Sequence, residues 1–148
     1  MHTLVKGLIA GAAGTTALNT ASYLDMLVRA RGASSTPRQA VEKLSDLTHT
    51  DLGDGDRAAN RTEALGSLMG YATGIGAAVA YGVLSGRRRS WPVGVLALTV
   101  LAMSGSNVPL TLLGATDPRT WPASAWVSDV VPHLAYGVAA YAAYELMR

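Results

Sequence analysis

The chain has 148 residues, of which 25 are alanine and 16 glycine, and it contains no cysteine. The absence of cysteine excludes disulfides and thiol-ligated metals, and the net charge of +2 is too small to favour nucleic-acid binding. Four stretches without any charge instead favour a multi-spanning membrane protein and exclude a disordered chain. These stretches are 7–24, 64–86, 91–116 and 130–144.

The uncharged stretches predict four helical spans, since about 20 helical residues cross the hydrocarbon core. The first could be a signal peptide, but no small-x-small cleavage site precedes a mature domain, so an uncleaved helix is favoured. We therefore expect an all-α fold: a four-helix transmembrane bundle in one integral membrane domain, residues 1–148. The expected spans are about 3–27, 63–85, 91–114 and 126–146.

The polar connection 28–62 is predicted to hold a short amphipathic helix over about 36–47. The run Thr36-Pro37-Arg38-Gln39 has the capping-box pattern, with proline at the first helical position. Such a helix could lie on the membrane surface or cover one end of the bundle. Its predicted apolar positions are Val41, Leu44 and Leu47.

An acidic segment, Asp51 to Asp56, follows this helix and superficially resembles a calcium-binding loop. The twelfth residue from Asp51 is Thr62, where an EF-hand loop requires a glutamate that binds through both oxygens. We therefore expect a turn that ends in a helix N-cap at Asp56.

The second span carries a ladder of small residues, each four positions from the next. Small residues let helices approach closely in lipid, where van der Waals packing drives helix association. The ladder predicts a close helix contact, by default with another span of the same chain. Its members are Gly66, Gly70, Gly74, Ala78 and Gly82.

The third span contains Ser104-Gly105-Ser106-Asn107 and then Pro109, which lacks a backbone donor and clashes with the preceding turn. A kink or break near Gly105 is therefore expected. Broken spans occur at transporter binding sites, but a packing kink is the favoured interpretation.

The four spans would place both termini and the turn 85–90 on one membrane side, called side one. The connection 28–62 and the loop 115–125 would lie on the other, side two. Trp91 opens the third span at side one, as expected of an interfacial aromatic residue, and Trp121 and Trp126 lie at side two.

The basic residues give conflicting predictions of how the bundle is oriented in the membrane. A plain count of Lys and Arg favours side two as cytoplasmic, whereas the density of Arg87, Arg88 and Arg89 in one short turn favours side one. Because these three arginines are so close together, we expect side one, with both termini, to be cytoplasmic.

Polar residues within the spans gather towards side two, and such residues are functional candidates because they are costly in a membrane. Asp129 and His133 are four residues apart and share a helix face, which Tyr136 extends inward. This pair could relay protons, orient a ligand, bind a cation, or tie the fourth span to Asp25 or Arg29. The ligand- or proton-binding candidates are Asn19, Asp25, Asn107, Asp129, His133 and Tyr136, and the anion-attracting candidates are Arg29, Arg31 and Arg119.

No metal, cofactor or catalytic set is indicated by the motifs. No two of the three histidines share a helix face, and no zinc-protease, phosphate-loop or dinucleotide-binding pattern occurs. We therefore expect no metal and no cofactor.

Several segments together resemble a group of small actinobacterial multi-spanning membrane proteins. The resemblance implies a plasma-membrane protein with several helices and brings no activity, cofactor or catalytic residue with it. The segments are 11–19, 23–26, 116–121 and 129–137.

Three functions are compatible with the sequence. A non-enzymatic accessory or assembly subunit, which packs against other membrane proteins or lipids or against its own copies, is favoured by the small-residue ladder. A small transporter or channel would use the polar side-two residues to line a cavity. A membrane enzyme acting on a lipid head group would use Asp129 and His133 as acid–base groups, but it lacks an identified nucleophile or metal. All three place the protein in the bacterial inner membrane.

Overall fold

The computed structural model describes residues 2–85 and 89–147, and over these residues the protein is all-α, as expected. The predicted triple-arginine turn falls partly on 86–88, and these residues and Arg148 lie outside the described part. Five helices pack as a bundle, and a short 3-10 turn, Pro118–Thr120, lies between the fourth helix and the fifth. The helices are α1 (Thr3–Arg29), α2 (Thr36–Thr48), α3 (Gly55–Leu84), α4 (Trp91–Leu112) and α5 (Ala123–Leu146).

The four long helices form an up-down bundle in which α1, α5, α4 and α3 follow one another around the ring. Gly11 of α1 lies against Ile75 of α3, and Gly137 of α5 lies against Thr99 of α4. The α1–α5 and α3–α4 seams are therefore on opposite sides of the bundle.

The starts of two helices differ from the predicted caps. The α3 helix begins at Gly55, after an Asp54 N-cap, rather than after Asp56, and it extends well beyond the predicted start near 63. The N-cap of α2 is Ser35 rather than Thr36, and the Gln39 amide lies 3.5 Å from the Ser35 hydroxyl. Polar residues precede both starts, so several could serve as caps, and the backbone selects one of them.

Alanine, glycine and tyrosine build the centre of the bundle. The largest fully buried side chains are Tyr136, Tyr141 and Leu98. Tyr136 Oη donates a hydrogen bond of 2.5 Å to the Gly74 carbonyl, and Tyr144 Oη donates one of 2.6 Å to the Ala78 carbonyl. Because a carbonyl oxygen has two lone pairs, these bonds join α5 to α3 without breaking the α3 helix.

The small-residue ladder of α3 meets different neighbours along its length. Ala78 is fully buried, and Gly74 and Gly82 lie close to Tyr136 and Tyr144 of α5 and to α1. Gly66 instead faces Pro37 of α2. Gly70 is exposed, and a Cβ added there would meet nothing within 4 Å.

The α4 helix continues from Trp91 through Gly105 and Pro109 to Leu112, so the expected interruption does not occur as a break. Ser106 Oγ lies 3.1 Å from the carbonyl oxygens of both Ala102 and Met103. Serine and threonine hydroxyls bonded to preceding carbonyls are common in helices that carry such residues internally.

The predicted amphipathic helix is present as α2 and packs on α3 and α4. Ala40 and Val41 are buried, but Leu44 is only half-buried and Leu47 is exposed. The helix therefore contacts the bundle through its N-terminal half, and Leu47 takes no part in this contact.

Within the described residues, two helices are long and apolar enough to cross a membrane, α3 and α4. The α1 and α5 helices are of similar length, but neither contains a stretch apolar enough to be counted with them. Their interiors are rich in glycine, alanine, threonine and tyrosine, and α5 also contains Asp129 and His133. The structure thus supports an apolar helical bundle and, from its two apolar helices, membrane association.

Candidate polar site at the side-two end

Asp25, near the end of α1, is the centre of a charged cluster that joins α1 to α5. Its carboxylate lies 3.2 Å from Arg29 Nη1 and 2.5 Å from Arg31 Nε. Ser128 of α5 donates a hydrogen bond of 3.0 Å to the same carboxylate and accepts one of 2.8 Å from Arg29 Nη1. The expected tie between α1 and α5 therefore passes through Ser128, the residue next to Asp129.

A second polar contact joins α4 to α5 at the same end. Asn107 Nδ2 donates a hydrogen bond of 2.9 Å to Asp129 Oδ2. Because Ser128 and Asp129 are consecutive in the chain, α5 contacts α1 through one residue and α4 through the next. The predicted gathering of Asp25, Asn107 and Asp129 at one end is thus seen in the structure.

His133, one turn further along α5, is largely buried and oriented by two neighbours. Its Nδ1 lies 2.7 Å from the Asp129 backbone carbonyl and 3.5 Å from the Asp129 carboxylate. Since a carbonyl oxygen can only accept, Nδ1 carries a proton in this arrangement. Nε2 faces the Ser106 hydroxyl of α4 at 3.3 Å.

Ser106, His133 and Asp129 therefore occur in the spatial order of a hydrolase triad. Two features favour a helix–helix tie over a nucleophile. The ring Nδ1 is closer to a backbone carbonyl than to the carboxylate, and the Ser106 hydroxyl is also within reach of two carbonyls of its own helix. A hydrolase would also need donors aimed at a developing oxyanion.

Three of the sequence candidates stand apart from this network. The Asn19 side chain makes no hydrogen bond to the described residues, and the Tyr136 hydroxyl is bonded to the Gly74 carbonyl. Arg119 pairs with Asp117 at 2.9 Å, and the hydrogen bonds from Arg119 lower the pKa of Asp117 below its usual value. Asp117 in turn raises the pKa of Arg119.

Two grooves lie elsewhere on the described surface. One, of about 400 Å³, lies at side one beside Trp91, Tyr141 and Glu145. The other, of about 500 Å³, follows the α3–α4 seam and is called the α3–α4 groove. The groove is lined by Thr73, Gly76, Ala77, Ala80, Leu101, Ser104, Gly105 and Val108.

Sequence reasoning missed the two serines that complete the polar contacts, Ser106 and Ser128. Isolated serines carry little signal, because helical serines commonly bond to their own backbone. Among the described residues, no group of three or more histidine, aspartate or glutamate side chains could hold a metal ion.

Comparison with family models, curated proteins and solved structures found no match for this chain. The function is therefore inferred from the geometry of the chain itself. That geometry consists of an apolar bundle, two polar ties at one end and an open groove along one seam.

Proposed function

We propose that the protein crosses the bacterial plasma membrane four times, with α1 and α5 spanning it as well as α3 and α4. The supporting observation is the position of large apolar side chains on α1 and α5, which point away from the bundle. A soluble bundle of this size rarely exposes so much contiguous apolar surface. The exposed residues include Leu4, Leu8, Leu24 and Leu27 of α1 and Val127, Val131, Leu134 and Val138 of α5.

The bundle interior supports the same proposal. Small residues and tyrosine hydroxyl bonds fill the centre, while leucine and valine cover the outside. In lipid, apolar side chains gain little by moving inward, and close backbone packing with interhelical hydrogen bonds holds the helices together. The resemblance to small actinobacterial membrane proteins implies the same location.

Single cysteines test whether α1 crosses the membrane in addition to α3 and α4, because the natural chain has none. His2→Cys, Ser45→Cys and Ser90→Cys are labelled in intact spheroplasts with a membrane-impermeant maleimide. Four spans require His2 and Ser90 on one side and Ser45 on the other. If α3 and α4 alone crossed, His2 would share the side of Ser45, which would refute the four-span proposal.

We further propose that the protein is a non-enzymatic accessory subunit whose α3–α4 groove receives a helix of another membrane protein. Among neighbouring long helices, α3 and α4 make the least extensive contact, and a Cβ added at Gly76 would meet nothing within 4 Å. Small residues at a lipid-facing surface allow the close approach that membrane helices use to associate. At side two, Asn107, Asp129 and His133 are hydrogen-bonded within the chain.

Native mass spectrometry of the protein, gently extracted from its own membrane, tests this role. Gly76→Leu fills the groove and should remove a co-purifying protein, whereas Ala12→Leu, at an exposed position on α1, should retain it. A strictly monomeric wild-type protein that carries no partner would contradict the accessory role.

A solute or proton pathway is the second candidate, favoured by the buried His133 with its Asp129 and Ser106 neighbours. It predicts that His133→Ala abolishes proton leak or uptake in reconstituted vesicles while the protein stays folded. Flux that is equal in wild-type and variant vesicles would remove this candidate.

A further inference from the structure

Two guanidinium groups share one carboxylate at the side-two end of α1. Arg29 and Arg31 both contact Asp25, so this cluster carries one uncompensated positive charge. The α1 C-terminus contributes roughly half a negative charge from its free carbonyls, which leaves the cluster positive. Arg119 differs because it pairs one-to-one with Asp117 and carries no excess charge.

Several donors of the two arginines remain available. Arg29 bonds to Asp25, Ser124 and Ser128 through Nη1, and Arg31 uses Nε towards Asp25 and Nη1 towards the Gly32 carbonyl. Within the described residues, Nε and Nη2 of Arg29 and Nη2 of Arg31 have no acceptor. Asp25 thus contacts both guanidinium groups, and each keeps donors for an outside acceptor such as a phosphate, which arginine recognises through its fork of donors.

The cluster lies where α1 ends, beside strongly exposed apolar residues. Leu27 is 78% and Val28 is 82% exposed, while Arg29 and Arg31 are partly covered by neighbours, with side chains 36% and 25% exposed. A ligand that places acyl chains against Leu27 and Val28 and a phosphate against the arginines would match both surfaces. The α2 helix packs on α3 and α4, whereas the cluster lies at the α1–α5 seam on the opposite side of the bundle.

We propose that Arg29 and Arg31 bind the phosphate of an anionic phospholipid at the side-two membrane surface. This inference rests on the proposed membrane location and adds a specific lipid contact to it. The recognised chemistry is a phosphate anion, and its source is a lipid, since the exposed leucine and valine accommodate chains that free phosphate lacks. The role of Asp25 is to position the two guanidinium groups.

Lipid selectivity in nanodiscs tests the proposal. Full-length protein is reconstituted with equal amounts of phosphatidylglycerol and phosphatidylcholine, and the retained lipids are counted by native mass spectrometry. We expect wild-type protein to retain the anionic lipid preferentially, by about fivefold, since a basic residue at an anionic surface contributes about 1 kcal/mol. Arg29→Gln and Arg31→Gln should each remove most of this preference, while Arg119→Gln, which breaks a compensated pair, should leave it unchanged.

Three results would overturn the proposal: no lipid preference in the wild type, an equal loss in Arg119→Gln, or displacement of the lipid by excess inorganic phosphate. Circular dichroism checks that each arginine variant remains helical. If Arg31→Gln unfolds, Arg31→Lys keeps the charge but loses the fork of donors, and an unchanged preference in that variant overturns the bidentate contact. The cysteine-labelling pattern separately reports whether the membrane proposal itself has failed.

Discussion

The α3 helix presents two faces built from the same small residues, and they have different surroundings. On one face, called the tight face, Gly74 lies against Thr15 and Tyr136, with no room for a further atom. On the other, called the open face, Gly76 borders the α3–α4 groove. Small residues therefore permit close helix contact without requiring it, because contact also needs a neighbour of matching shape.

The tight face and the open face also differ in their hydrogen bonds. At the tight face, the Tyr136 and Tyr144 hydroxyls donate hydrogen bonds to carbonyl oxygens of α3. In the groove, the side chains of Thr73 and Ser104 make no hydrogen bond within the described residues. A tyrosine fills the space above a glycine and also supplies a polar anchor. The α3–α4 groove has no residue of this kind.

Adding one methyl group at the α1–α3 contact and one at the α3–α4 groove should give the largest contrast. In Gly11→Ala, the new Cβ would lie 2.5 Å from Ile75 Cα, so α1 and α3 must separate, at a cost of about 2 kcal/mol or more. Gly76→Ala meets no atom within 4 Å and should leave stability unchanged or slightly raised. Reversible unfolding in mixed micelles measures both, and equal destabilisation would contradict the difference between the contact and the groove.

Removing Asn107 should have the next largest effect, at the polar end. Asn107→Ala leaves Oδ2 of the largely buried Asp129 without its amide donor, and an unsatisfied buried polar group costs about 1–3 kcal/mol. Asn19→Ala is the matched control, since Asn19 makes no hydrogen bond to the described residues. A smaller loss for Asn107→Ala than for Asn19→Ala would show that the α4–α5 tie contributes no stability.

A smaller loss of stability is expected when a tyrosine hydroxyl bond at the tight face is removed. Tyr136→Phe keeps the ring and deletes the hydroxyl bond to Gly74, which should cost about 1 kcal/mol. Tyr23→Phe, at an exposed position, should be neutral under the same unfolding assay. Equal stability of the two variants would mean that the Tyr136 ring stabilises the tight face by packing and that its hydroxyl bond contributes nothing.

The smallest effect concerns the exposed pair Asp117 and Arg119 in the side-two loop. Arg119 lowers the pKa of Asp117, so the pair stabilises the fold above the ordinary aspartate pKa, and this contribution is lost as pH falls through the lowered value. Asp117→Asn should abolish this acid-dependent loss and change stability little at neutral pH, because exposed pairs contribute little. Unfolding curves of both proteins across the acid range measure this effect. The same pH dependence in Asp117→Asn as in the wild type would contradict a stabilising pair.

Helix positions were largely predictable, because long uncharged runs leave few alternatives. Segments 3–27 and 91–114 correspond to α1 and α4 within two residues at each end. The start of α3 was not predictable in this way, because residues 55–62 are polar and continue the helix beyond the apolar run. Polar helical extensions have no hydropathy signal.

The polar site was predictable in location but not in its connections. Helical spacing and the depth of each residue placed Asp25, Asn107, Asp129 and His133 at one end, where the structure has them. The partners depend on how each helix is rotated about its own axis. That rotation determines that Asp25 contacts Ser128, that His133 contacts Ser106, and that the Asn19 side chain hydrogen-bonds to none of the described residues.

The sequence by itself determined an all-α chain of long apolar helices with its polar residues at one end, because charge distribution and helical periodicity are local properties. Tertiary structure decided which small residues are buried and which polar side chains find a partner. Gly74 and Gly76 look alike in sequence, as do Asn19 and Asn107. They differ only through neighbours that other helices bring to them, and such contacts depend on packing in three dimensions.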